Sequence, residues 1–158
     1  MMEMYTVSFF GHRIIDNLDK VQNELENIIS KIVSEHEYVQ FLVGRDGDFD
    51  IIAASAVRKV KKTLFIDNVD LNLVLPYMRA EISNNIEYML DYYNDIQVDD
   101  DARKAHFKAA IKIRNQNMVK KSQLVICYVE RNKGGAYTAM KYAQNQGCTV
   151  INIAEKFE

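Results

Sequence analysis

Residues 114–138 have the sequence RNQNMVKKSQLVICYVERNKGGAYT, in which the end of a helix, an apolar strand and the start of a second helix follow one another. The strand spans residues 124–129, and Gly134 and Gly135 open the second helix. In a parallel sheet such a turn lies at the carboxyl edge, where free backbone N–H groups and the positive end of the helix attract phosphate. The sequence therefore predicts a parallel sheet with a nucleotide pocket at this edge.

The rest of the chain alternates short apolar runs with amphipathic stretches. Five strands are predicted, at residues 5–10, 38–43, 71–75, 124–129 and 148–153. Between them, apolar residues recur at spacings of three and four, which is typical of helices that cover one face of a sheet. This alternation predicts an α/β fold of three layers, with a mostly parallel five-stranded sheet in the order 3-2-1-4-5.

The length and composition of the chain fit one globular domain. Its 158 residues are 48% apolar and 27% charged, and a chain of this size buries roughly two-thirds of its unfolded surface. We predict a single domain over residues 1–158, with an irregular insertion around residues 77–100. The insertion contains a candidate helix over residues 80–90 and a short extended piece at residues 96–98. Tyrosines in this insertion form either a lid that stacks on a base or the edge of a core. They are Tyr77, Tyr88, Tyr92 and Tyr93.

The charge and apolar patterning restrict the partners. The net charge of −2 counts against nucleic acid as a partner, because it gives no broad field that attracts phosphates. The basic run at residues 58–62 is interpreted as a helix end matched to the helix dipole. No apolar run reaches the ~20 residues that cross a bilayer, so a cytoplasmic protein without membrane contact is predicted. Cys127 and Cys148 lack the spacing of a metal or redox site, and no metal is predicted.

Three turns are predicted to meet at the carboxyl edge of the sheet. One is Gly11-His12-Arg13 after the first strand, and the others are residues 43–50 after the second strand and residues 130–135 after the fourth. In the order 3-2-1-4-5, the first and third of these turns face each other across the switch point, where open α/β sheets bind ligands. The second turn lies beside them.

The late turn and the helix before it carry the strongest candidates. Gly134 and Gly135 allow backbone amides to approach an anion closely, which favours phosphate binding. Thr138 either adds a hydroxyl to the same phosphate or bonds a backbone carbonyl. Arg114 shares a helical stripe with apolar residues, so it points inward and needs a partner, either a ligand or a structural carboxylate. Asn115 either shares that role or caps locally.

The first two turns add polar candidates. His12 and Arg13 either contact phosphate or base, or stabilise the turn itself. Asp46 and Asp50 are candidates for accepting ribose hydroxyls, and Asp48 is interpreted as a helix cap. The predicted ligand-binding residues are Gly11, His12, Arg13, Gly44, Asp46, Asp50, Arg114, Asn115, Gly134, Gly135 and Thr138.

Taken together, these turns resemble those of the SLOG superfamily, the Rossmann-like group that contains the Smf/DprA proteins, the LOG phosphoribohydrolases and many YpsA-like proteins. The likeness spans nearly the whole chain and is closest to small bacterial SLOG proteins. The matching motifs are Gly11-His12-Arg13, Val43-Gly44-Arg45-Asp46-Gly47-Asp48-Phe49-Asp50 and Gly134-Gly135-Ala136-Tyr137. The resemblance implies a three-layer Rossmann-like fold with a nucleotide site at the switch point.

The likeness to LOG enzymes is partial. These enzymes cleave the bond between base and ribose phosphate in a nucleoside monophosphate, and Arg114, Met118 and the glycine pair match their arginine helix and phosphate turn. Lys133 replaces a proline, Tyr137 a third glycine, and Lys141 stands at the position of the catalytic glutamate. Because glycosidic cleavage builds positive charge on the ribose, an ammonium group at that position opposes it. Another carboxylate, Glu130, Asp46 or Asp50, is the alternative, and no catalytic residue is assigned.

Three functions remain open. The leading hypothesis is a sensor, sequestering module or regulator that binds a nucleotide-type small molecule without LOG chemistry and without a cofactor. The first alternative is a nucleotide N-glycosidase or a relative of the nucleoside deoxyribosyltransferases. The second is single-stranded DNA binding by analogy with the Smf/DprA group, which predicts salt-sensitive binding through Lys and Arg side chains. The resemblance to SLOG proteins and the tyrosine-rich insertion suggest a homodimer.

Overall fold

The computed structural model describes residues 3–157, in which alternating strands and helices build one six-stranded parallel sheet. The strands are β1 (Met4–Gly11), β2 (Tyr38–Val43), β3 (Val69–Leu75), β4 (Asp95–Val98), β5 (Leu124–Tyr128) and β6 (Thr149–Asn152). The α-helices are α1 (Leu18–Glu35), α2 (Asp48–Leu64), α3 (Ala80–Ser83), α4 (Ile86–Tyr92), α5 (Asp100–Lys104), α6 (Phe107–Lys120) and α7 (Gly135–Asn145). A 3-10 helix over Ile153–Phe157 follows β6.

The sheet has the order β4-β3-β2-β1-β5-β6, so the prediction of five strands in the order 3-2-1-4-5 is wrong. The five predicted strands keep their neighbours, and the additional strand β4 pairs with β3 at the edge. Asn94 starts this pairing, because its backbone N–H donates to Leu71 O at 2.8 Å and its side-chain oxygen accepts from Leu71 N–H at 2.8 Å. The sequence predicts only a short extended piece at residues 96–98 here, because a four-residue strand with an exposed first residue carries too short a pattern to be counted as part of the sheet.

Apolar cores on both faces of the sheet confirm the three-layer α/β architecture. On one face, Val7 and Phe9 of β1 pack with buried side chains of α1 and α2, such as Leu25 and Val57. On the other face, Phe10 of the same strand packs with buried side chains of α6 and α7. This alternation follows from the period of two in a strand, which sends successive side chains to opposite faces.

The segment 77–100, expected to be irregular, contains α3, α4 and β4. Two of its tyrosines pack at the sheet edge. Tyr93 is 1% exposed and accepts a hydrogen bond from Arg45 Nη1 at 3.0 Å, and Tyr92 meets the Tyr93 ring at a centroid distance of 4.8 Å. Tyr92 and Tyr93 therefore form a core edge, the second of the two roles considered for the tyrosines. Among the helices within residues 3–157, none is long and apolar enough to cross a bilayer.

The carboxyl edge of the sheet brings two of the predicted turns together. In the parallel pairing of β1 with β5, Gly11 lies opposite Tyr128. His12 extends this contact, since its backbone N–H donates to Tyr128 O at 3.3 Å and its Nε2 accepts from Glu130 N–H at 2.8 Å. Because α1 and α7 leave this edge on opposite sides of the sheet, a cleft opens between the two turns.

Candidate functional site

A pocket of about 540 Å³ lies at this switch point, formed by all three predicted turns and by α6. Ten of the eleven predicted ligand-binding residues line it. They are Gly11, His12, Arg13, Gly44, Asp46, Asp50, Arg114, Asn115, Gly134 and Gly135. The strand order and the arginine helix thus bring together residues that are more than a hundred positions apart in the sequence.

Arg114 forms the buried floor of one half of the pocket. Its side chain is 3% exposed, and its Nη2 lies 2.8 Å from Asp46 Oδ2. Nη1 donates to the carbonyl oxygen of Val74 at 3.1 Å, and Nε donates to Asn115 Oδ1 at 3.1 Å. The inward orientation that the helical stripe predicts is therefore found, with a carboxylate, an amide and a carbonyl as partners. The guanidinium charge is matched inside the protein and fixes the position of Asp46.

Asp50 lies behind this ion pair at the start of α2. Its Oδ2 accepts the backbone N–H of Asp46 at 2.9 Å, which shapes the turn after β2. Burial penalises the charged form and raises the pKa of Asp50 from 3.8 to about 6, although the Asp46 N–H and the charges of Arg114 and Arg13 act in the opposite direction. Asp50 is thus a pocket carboxyl that can exchange a proton near neutral pH.

Gly44 leaves the space that this cluster occupies. A Cβ atom at position 44 would lie 2.8 Å from Arg114 Nη1 and 3.0 Å from Asp46 Oδ2. Only glycine allows the ion pair to approach the backbone this closely. The glycine of this turn is therefore required by the Arg114 side chain from α6 and by the Asp46 carboxylate of the same turn.

His12 has a structural role in the pocket wall. Because Nε2 accepts the N–H of Glu130, the imidazole is neutral and carries its proton on Nδ1. Burial lowers the pKa of His12, and the nearby charge of Arg131 lowers it further. Of the two roles considered for this residue, the described contacts support stabilisation of the turn.

The other half of the pocket is cationic and rich in free backbone N–H groups. Gly134 has φ of 94°, a left-handed conformation that favours glycine, and it precedes α7. The first hydrogen bond along α7 runs from Thr138 N–H to Gly134 O at 3.0 Å. The N–H groups of residues 135–137 therefore have no partner within the helix and lie at its positive end.

Two cations complete this half and were not among the predicted binding residues. Arg131 and Lys133 line the pocket beside Gly134, and both are exposed. In the sequence, Lys133 stands out only as a replacement for the proline of the LOG motif. Their position in the predicted 130–135 turn is the feature that could have identified both residues.

Thr138 is the one predicted residue outside this pocket. Its hydroxyl donates to Gly134 O at 3.0 Å, and it lines a smaller depression of about 230 Å³ between α6 and α7. Lys141, at the LOG glutamate position, is exposed on α7 and does not line the main pocket, and neither does Glu130. Of the three alternative carboxylates, only Asp46 and Asp50 therefore face the cavity.

Asp48 connects two of the turns. Its Oδ2 accepts the N–H of Ile15 at 3.2 Å, whereas its own helix begins after Gly47 without a side-chain cap. The predicted capping role is thus replaced by a bond to the turn after β1. Within residues 3–157, no group of three or more His, Cys, Asp or Glu side chains is arranged to hold a metal ion.

The fold is similar to solved structures of DNA processing protein A (DprA). The Streptococcus pneumoniae protein matches with a TM-score of 0.66 and 15% identity, over 93% of this chain and 49% of that chain. The Helicobacter pylori protein, described by its single-stranded DNA binding mode, matches with a TM-score of 0.63 and 14% identity, over 92% of this chain and 63% of that chain. This chain thus corresponds to about half to two-thirds of their length. No protein-family model and no curated protein sequence matches it.

These likenesses confirm the Rossmann-like α/β fold that the sequence predicts, a fold that this chain shares with DprA. They also correct one prediction about partners. Net acidity counts against nucleic acid, but a protein with this fold is described as binding single-stranded DNA. The prediction that nucleic acid is an unlikely partner, made from the net charge, was therefore wrong. Local basic surfaces decide such contacts, and the average charge of the molecule does not show them.

Proposed function

We propose that this chain, a SLOG-like Rossmann fold, binds single-stranded DNA and that the switch-point pocket holds a phosphate of the strand. The observation that carries the proposal is the cationic half of the pocket. There, Arg13, Arg131 and Lys133 line the same cavity as the glycine pair at the start of α7. Cationic side chains and unpaired N–H groups together form a site for a phosphodiester.

The second half of the pocket is suited to the rest of a nucleotide unit. The Asp46 carboxylate accepts hydrogen bonds and is held in place by Arg114, so it can bind a hydroxyl or a base amino group without a large entropy cost. Because Arg114 is already paired, we assign the attraction of phosphate to the exposed cations opposite it.

The test is fluorescence anisotropy with a labelled oligothymidylate at low and high salt. We expect Lys133→Glu and Gly135→Asp to weaken binding at least about tenfold, since each places a carboxylate beside the phosphate site. A Cβ at position 135 meets no atom within 4 Å, so the second variant should fold normally. Lys141→Glu, on the same helix outside the pocket, is the matched control. If the wild-type protein does not bind at low salt, or if the pocket variants bind like the control, the proposal fails.

A free nucleotide is the second candidate, favoured by the size of the pocket. Its volume of about 540 Å³ lies within the range of about 300–1,000 Å³ that is usual for small-molecule sites. Displacement of the oligonucleotide by a mononucleotide at far lower concentration than by inorganic phosphate would favour this ligand. Release of free base from a nucleoside monophosphate, lost in Asp46→Asn or Asp50→Asn, would favour the N-glycosidase alternative.

A further inference from the structure

A second basic groove lies at the other end of α2. It has a volume of about 660 Å³ and is formed by the last turns of α2 and by residues 90–94. Four cationic side chains line it, and Asp91 is the carboxylate among its lining residues. The cations are Arg58, Lys59, Lys61 and Lys62. We call this surface the α2 groove.

The sequence alone suggests that these cations only match the helix dipole, but their contacts show a more specific arrangement. The Arg58 guanidinium lies over the ring of Tyr92, 4.0 Å from its centroid, which fixes a planar cation at the groove wall. Lys61 donates to Asn94 Oδ1 at 2.9 Å. Lys59 pairs with Glu26 but keeps a side-chain exposure of 61%, and Lys62 forms no ion pair within residues 3–157. Two of the four cations are thus held in position, and exposed positive charge remains beside them.

Phe65 follows this basic run as the C-terminal cap of α2, and its side chain is left in solvent. It is 94% exposed and has φ of 51°, the left-handed conformation that glycine or asparagine adopts more easily. The backbone N–H of Phe65 donates to Lys62 O, so the ring lies at the end of α2 that carries the lysines. A phenylalanine that buries no surface and strains the backbone is explained by contact with a partner. Its exposed ring face suits stacking on an unpaired base.

We propose that the α2 groove, together with Phe65 at the adjoining end of α2, is a second contact site for single-stranded DNA. In this site Lys59 and Lys62 contact phosphates, and Phe65 stacks on a base. The proposal rests on the function proposed above and extends it to a separate surface. Asp50 lines the switch-point pocket and Lys62 lines the groove, and they are twelve positions apart on α2, which corresponds to roughly 20 Å along the helix. A strand that follows α2 would therefore touch both sites, whereas a short oligonucleotide would occupy only one.

The experiment measures anisotropy of labelled oligothymidylates of about five and about twenty nucleotides over a range of salt concentrations. The groove variants are the pair Lys59→Gln/Lys62→Gln and, separately, Phe65→Gly. The pocket variant is Lys133→Glu, which is also combined with each groove variant. The matched control is Lys120→Gln/Lys121→Gln, two exposed lysines at the end of α6 on the other face of the sheet.

We expect each groove variant to weaken binding of the long oligonucleotide about tenfold and to reduce the gain in affinity between the short and the long one. The lysine pair should also lower the slope of affinity against salt by about one unit for each lost phosphate contact. Phe65→Gly should raise the melting temperature while it weakens binding, because glycine adopts the left-handed conformation without strain. A residue with only a structural role would not produce these opposite effects.

The outcomes separate the two proposals. If only the pocket variant weakens binding and the groove variants match the α6 control, the groove inference is overturned and the pocket function stands. Such a result would leave the groove cations available for an acidic protein surface instead. If only the groove variants weaken binding, the pocket function fails and the groove inference stands. If the wild-type chain binds neither oligonucleotide at low salt, both are overturned.

Discussion

The guanidinium of Arg114 holds the pocket together and offers little free positive charge. It bonds Asp46, Asn115 and the Val74 carbonyl, so its removal would leave a carboxylate and a carbonyl in the pocket floor without their donor. Breaking a buried pair in this way costs about 3–5 kcal/mol. Loss of ligand binding in an Arg114 variant would therefore not by itself identify a ligand contact. The exposed cations of the 130–135 turn are better probes.

The raised pKa of Asp50 predicts a specific pH dependence of stability. Because the folded-state pKa of about 6 lies above the ordinary aspartate pKa of 3.8, the folded protein holds this proton more tightly than the unfolded chain. The stabilising contribution of the Asp50 proton to the free energy of unfolding is therefore fully present below about pH 4. It is lost as pH rises through about 6, and the loss is about 3 kcal/mol. The Asp50→Asn variant keeps a side-chain oxygen that accepts the Asp46 N–H, but its amide does not ionise in this pH range. We expect its free energy of unfolding to exceed that of the wild type at about pH 7 and to match it at about pH 4.

Denaturant unfolding at the two pH values measures this difference. Asp67→Asn, at an exposed position in the loop before β3, controls for the change of carboxylate to amide. If the difference between wild type and Asp50→Asn is the same at both pH values, Asp50 does not titrate as described.

Gly44 and Gly135 predict opposite responses to the same substitution. Gly44→Ala should lower the free energy of unfolding by about 1–3 kcal/mol, because its Cβ would collide with the Arg114–Asp46 pair. Gly135→Ala should be neutral or stabilising, since its Cβ meets open space and alanine favours a helix. Thermal and urea unfolding of the two variants provide the test. Equal effects at both positions would contradict the described packing of the pocket floor.

At the scale of elements, α5 and α6 are two separate helices. The sequence Asp99-Asp100-Asp101 instead predicts one long helical segment whose first N–H groups these carboxylates cap. Asp99 caps α5 by accepting Ala102 N–H at 2.9 Å, and Asn117 of α6 donates to both oxygens of Asp99 at 3.1 and 2.9 Å. A new cap at His106, whose Nδ1 accepts Lys108 N–H at 3.3 Å, starts α6. The capping role predicted for the aspartates is found at Asp99. The break between α5 and α6 follows from this second cap, which the imidazole of His106 provides.

Asp99 should therefore contribute more to stability than its neighbour Asp100. Asp99→Ala removes a helix cap and the bond to Asn117, and we expect a loss of about 1–2 kcal/mol in the free energy of unfolding. Asp100→Ala is the control, because Asp100 is 80% exposed and pairs only with Arg103 along the same helix. Urea unfolding compares them, and a larger effect at Asp100 would contradict this assignment of the cap.

At the scale of the whole molecule, an overall charge of −2 conceals two basic surfaces at opposite ends of α2. Helix α2 begins beside the switch-point pocket, and its last turn carries Lys61 and Lys62. The electric field of such surface charges extends over about one Debye length, which is roughly 10 Å at 0.1 M salt. A ligand near either end therefore experiences local positive charge and little of the acidic average.

Ligand binding at the pocket should stabilise the whole fold. A nucleotide or short oligonucleotide at about 100 times its dissociation constant should raise the free energy of unfolding by about 2.7 kcal/mol. Thermal-shift titrations measure this effect, and Gly135→Asp should abolish it, whereas Lys141→Glu should retain it. Equal shifts in the two variants would indicate that the ligand binds elsewhere on the molecule.

The sequence by itself determined most of the strands, the cover of helices and the three turns that meet at the switch point. Such features depend on local periodicity and on general rules for connecting parallel strands, so residues such as Gly11 and Gly134 could be assigned to one edge. Arg114 could be predicted to point inward for the same reason.

Only the tertiary structure decided that residues 95–98 pair with β3 as the edge strand. It alone also decided the pairing of Tyr93 with Arg45, the raised pKa of Asp50 and the α2 groove. Each of these features depends on burial or on contacts between segments that are distant in the sequence. Burial and such contacts leave no periodic pattern in the chain. The groove is the clearest case. A basic helix end and a tyrosine pair are ordinary features apart, and folding places the Arg58 guanidinium on the Tyr92 ring.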